Sequence, residues 1–75
     1  MKSTIKLFYD VNEHQYYIYY NKNFATVLYK VENINPLNIM PVNVWGTMNP
    51  NLAKEVINEI EEFAINEFKK LNNGF

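Results

Sequence analysis

His14 is the one histidine of the chain, and it follows a carboxylate, Glu13, in the short polar stretch Val11-Asn12-Glu13-His14. An imidazole next to a carboxylate can serve as a general base, but only with a nucleophile in reach and a pocket around both. The sequence offers neither. Ser3 is the only serine and there is no cysteine, so His14 reads as an exposed turn residue. The missing thiols also remove disulfides, thiolate metal sites and cysteine nucleophiles, and a lone histidine does not make a structural zinc site. Glu55, Glu59, Glu61 and Glu62 form the densest group of carboxylates. Paired carboxylates can do acid–base work, but this spacing is that of a solvated helix face. Neither glycine, Gly46 or Gly74, belongs to a phosphate-binding loop. The expectation is a protein with no catalytic residues, no metal and no cofactor.

Charge points the same way. The net charge is −1, and all 7 basic residues are lysines. No overall field draws the chain to nucleic acid or to an anionic membrane. Arginine, the usual bidentate reader of phosphates and guanine edges, is absent. No apolar run approaches the roughly 18 residues of a membrane span, and the first residues lack a signal-peptide core, so a cytoplasmic protein is expected. The abundance of Asn, Ile, Lys, Tyr and Phe is the bias of an AT-rich genome, such as that of a low-GC bacterium or its phage.

Three segments read as strands. Residues 4–10 alternate Ile5, Leu7 and Tyr9 with Lys6 and Phe8, residues 15–20 are rich in strand formers, and residues 24–31 alternate again. Short polar punctuation between them makes an antiparallel meander. The uncharged segment Gln15–Tyr20 suits the middle of the sheet, where it cannot template aggregation. Turns centred on Asn12-Glu13 and Asn21-Lys22 would put Ile5, Leu7, Tyr9, Tyr16, Ile18, Tyr20, Ala25, Val27, Tyr29 and Val31 on one face. Lys6, Phe8, Asp10, Gln15, Tyr17, Tyr19, Phe24, Thr26, Leu28 and Lys30 would share the other.

Residues 50–72 form a helix, with Asn49 as cap, Pro50 at the first position and Asn72-Asn73-Gly74 as the stop. Ala53, Val56, Ile57, Ile60, Phe63, Ala64, Phe68 and Leu71 make its apolar stripe. Glu67 falls inside that stripe and Ile65 outside it. The fold class is therefore α+β in the order βββα, one domain over residues 1–75. The connection 32–49 is unusually apolar, and residues 42–45 fit a short fourth edge strand after Pro41.

One helix covers one sheet face. The other face would leave Phe8, Tyr17, Tyr19, Phe24 and Leu28 uncovered unless residues 34–48 fold back over it, and both outcomes are open at this point. With Met40 and Trp45 from the connection, these are the candidate partner-binding residues of a small non-enzymatic protein-interaction module. Small size and composition extend that reading to a phage or mobile-element inhibitor that occludes a host or defence protein. A helix of roughly 34 Å also outruns a seven-residue strand of about 23 Å. Its end, through Ile65, Phe68, Leu71 and Phe75, could then meet a second copy. The alternative function is a homo-oligomer, a homodimer in the simplest case, whose aromatic face is a self-interface. The third is a single-stranded nucleic-acid binder with an aromatic stacking platform, which the acidic balance disfavours. An acidic mimic of nucleic acid ranks lower still.

Overall fold

Period-two alternation makes four antiparallel strands, and a stripe of apolar residues at helical spacing makes one helix against them. The computed structural model describes residues 3–22, 25–46 and 50–73, with helix side chains described from 55 to 71. The elements are β1 (Thr4–Asp10), β2 (Gln15–Lys22), β3 (Ala25–Ile34), β4 (Leu37–Gly46) and α1 (Pro50–Asn73). They form a single sheet in the order β1-β2-β3-β4. This is the expected α+β arrangement, with the uncharged segment Gln15–Tyr20 in β2, inside the sheet. The notion of a short edge strand at 42–45 is corrected to a ten-residue β4. Residues 37–46 do not fold back over the second face; they extend the sheet sideways. Asn49, Phe24 and Phe75, assigned roles above, lie outside the described residues.

The first hairpin closes as its residues dictate, with Asp10 opposite Gln15 and Phe8 opposite Tyr17. Asp10 Oδ1 accepts from the amides of Asn12 (2.9 Å) and Glu13 (3.1 Å). This is the local bonding that makes aspartate a turn former. His14 completes the loop at φ 55°, the left-handed region that histidine enters more readily than most residues.

The second turn differs from expectation. A turn centred on Asn21-Lys22 would set Tyr20 against Asn23, whereas Tyr20 pairs with Val27 and the ladder continues to Lys22 opposite Ala25. Asn21 and Lys22 stay in the strand, and Asn21 Nδ2 donates to Thr26 Oγ1 across it at 2.6 Å. The offset of pairing is even, so the described side chains of β2 and β3 keep their predicted faces.

β3 and β4 join through Asn35-Pro36, a cis peptide, with Asn33 Nδ2 donating to the Pro36 carbonyl at 2.9 Å. Their register slips between Leu28 and Tyr29, where Pro41 and Asn43 pair and Val42 is extra, and again between Val31 and Asn33. Past Tyr17–Lys30, β2 and β3 no longer pair. There Gln15 Nε2 donates to the Val31 carbonyl at 2.6 Å, supplying the bond that the ladder has dropped. Gly46 ends β4 at φ 87°, a conformation that only glycine takes without steric cost.

The core is the helix-facing side of the sheet. Ile18, Tyr20, Val27, Tyr29 and Val31 meet Val56, Ile60, Ala64 and Phe68, all buried. The four helix residues recur at every fourth position, which lines them up on one face of α1. Ile57 and Phe63 of the predicted stripe are half-buried, and Leu71 is exposed. No charged side chain is buried among the described residues. Ile60 is fully buried at the centre of the row. Ile60→Ala should cost about 2–5 kcal/mol, a large share of the stability of so small a domain, read as a lower urea midpoint. Ile65→Ala, at a 41% exposed position, should shift it by less than about 1 kcal/mol.

Candidate binding surface

Side chains opposite one another on paired strands share a face, so the register assembles the surface directly. Three rows cross all four strands on the side away from α1. The first is Phe8, Tyr17, Lys30 and Met40, and the second is Lys6, Tyr19, Leu28 and Asn43. The third is Thr4, Asn21, Thr26 and Trp45. Six of the seven predicted contact residues, Phe8, Tyr17, Tyr19, Leu28, Met40 and Trp45, thus converge on one face. The seventh, Phe24, lies outside the described residues. β4, which could have covered the patch, enlarges it: Met40 is 47% exposed and Trp45 48%.

The patch is ordered by its own contacts. Phe8 and Tyr17 stack with ring centroids 5.7 Å apart and planes 21° from parallel. Tyr17 donates its hydroxyl to Glu13 Oε2. That hydrogen bond, ahead of desolvation and the charges of Glu13 and Asp10, raises the Tyr17 pKa above the usual tyrosine value. Lys6 and Lys30 are the cations of the two upper rows.

The other face holds features that periodicity does not disclose. Tyr20 is buried, yet its hydroxyl reaches Glu59 Oε2 at 3.3 Å, and Ser3 Oγ donates to Glu59 Oε1 at 2.8 Å. Glu59, read as one of several solvated carboxylates, joins β2, α1 and the residue before β1. Tyr9 packs edge-on against Tyr16 (4.7 Å), and Tyr16 against Phe68 (5.1 Å). Phe68, considered above as a contact with a second copy, is 7% exposed and belongs to the core. Ile65 lines a depression of about 400 Å³ with Ile34, Pro36, Leu37 and Lys69. Leu71 lines a groove of about 580 Å³ with Tyr9, Phe63 and Glu67, beside β1. Glu67 reaches its rim and pairs with Lys70 at 3.4 Å, as expected of a carboxylate at the margin of an apolar stripe.

Chemistry on either face is sparse. Among the described residues no group of His, Cys, Asp or Glu could hold a metal ion, and no helix is long and apolar enough to cross a membrane. No family model matches the chain, and neither a curated protein nor a solved structure shows significant similarity to it.

Burial raises the pKa of Tyr29, and burial together with the Glu59 carboxylate raises that of Tyr20. The folded protein therefore holds these phenolic protons more tightly than the unfolded chain. Their stabilising effect is complete below the unfolded value of about 10 and is lost as pH rises through the raised values. The melting temperature should fall above about pH 10, and Tyr29→Phe should flatten that fall in thermal scans across the alkaline range.

Proposed function

We propose that the protein is a binding module, not an enzyme, and that the sheet face opposite α1 receives another protein. The observation that carries this reading is the convergence of Phe8, Tyr17, Tyr19, Leu28, Met40 and Trp45 on a face that no described element covers. Tyrosine and tryptophan give much contact area for few rotatable bonds, which limits the entropy lost on binding. The Tyr17–Phe8 stack and the Tyr17–Glu13 bond hold part of the surface in place before a partner arrives. The partner that fits is a protein with an apolar ridge and carboxylates placed to meet Lys6 and Lys30. Such occlusive binding would serve a phage or mobile-element inhibitor, an extension supported only by small size and AT-rich composition.

The test begins with retention of proteins from a lysate of the source organism, followed by purification of the dominant one and titration against it. Tyr19→Ala and Trp45→Ala should each weaken its binding by about tenfold or more, with the circular dichroism spectrum unchanged. Raised salt should weaken it further through Lys6 and Lys30. Unchanged affinity in both variants would remove the face from the binding role. Retention of single-stranded oligonucleotides at low salt instead would favour the nucleic-acid reading.

A further inference from the structure

The two edges of the sheet are built differently. β4 carries Pro41 within the strand and the extra residue Val42 beside it, both devices that blunt an edge against further pairing. β1 carries neither. It is seven residues long, pairs without a slip to β2, and has no strand on its other side among the described residues. Apolar side chains border this open edge: Phe8 is 44% exposed, Tyr9 45% and Val11 70%.

The sequence of β1 is complementary to itself. Under a two-fold axis, antiparallel pairing centred on Phe8 sets Lys6 of each copy opposite Asp10 of the other and Leu7 opposite Tyr9, all within β1. Both charge pairs are satisfied, and the exposed Tyr9 gains an aliphatic neighbour. Centring on Leu7 would instead put Lys6 opposite Phe8 and Asp10 opposite Thr4, leaving both charges without partners. Opposite-charge and aromatic cross-strand pairs stabilise a sheet, so the Phe8-centred register is preferred.

We infer that β1 is a self-pairing edge, and that two copies of the chain join there into one eight-stranded sheet with the Phe8 side chains facing each other at the axis. The inference does not depend on what the open face binds. A two-fold axis normal to the sheet keeps both helices on one side. On the other side it brings the two Phe8–Tyr17 stacks together, so the open faces become one continuous surface.

Light scattering across a concentration series up to about 1 mM reads the association directly. The wild-type chain should rise to twice the monomer mass. Phe8→Glu and Phe8→Lys, at an exposed position, should each stay monomeric, because each places like charges together at the axis. Their equimolar mixture should recover the doubled mass. Hydrogen exchange should show β1 amides slowed in the dimer and fast in either variant alone. A wild-type chain monomeric throughout would overturn the inference, as would a dimer indifferent to both substitutions or a mixture that stays monomeric. A tighter dimer in Phe8→Glu would overturn the register, since only the Leu7-centred pairing sets that position against Lys6. Phe8 belongs to the open face as well, so the two roles are separated by Tyr19→Ala and Trp45→Ala, which lie away from the β1 edge and should leave the doubled mass unchanged whatever they do to partner binding.

Discussion

A sheet has two faces, and the described residues hold one helix to cover them. Everything else in the structure follows from how that helix is spent. Val56, Ile60, Ala64 and Phe68 occupy a single row, and it is buried against the side of the sheet presenting Ile18, Tyr20, Val27 and Tyr29. Once that layer closes, no comparable element among the described residues remains for the opposite side. The aromatic residues there persist as surface because the two-layer architecture has been used up, and in a domain this small little further burial is available.

The fold was largely readable from the residues, for a reason specific to β structure. The face of a side chain depends on parity, so the misplaced second turn left Tyr17, Tyr19 and Leu28 where alternation put them. The helix was readable because its stripe runs for many turns and Pro50 marks its start. β4 was only partly readable: Pro41 and the extra residue at Val42 break its alternation, so the segment resembled an apolar connection with a short strand inside it. Its length became evident only from pairing with β3, which is a long-range property.

The candidate surface was legible to the same extent and no further. Phe8, Tyr17, Tyr19 and Leu28 could be placed on it from parity, whereas Met40 and Trp45 were expected in a connection and join the face only through pairing with β3. The Tyr20–Glu59–Ser3 junction could not be assigned, because nothing local says that a buried phenol will find a carboxylate 39 positions away. Phe68 shows the opposite error: the length of the helix suggested an overhanging end, whereas that residue is buried and packs edge-on against Tyr16 of β2. Val44, on the helix side of β4, remains 52% exposed, as α1 comes closest to β1 and β2.

The bulged, proline-bearing border of β4 has one more consequence. A strand edge able to recruit its like, repeated at both borders of a sheet, propagates without limit into fibres. Here one border is blunt, so a chain can be joined from the other side only. Any strand addition at β1 therefore terminates after a single event, and an assembly built that way is finite by construction.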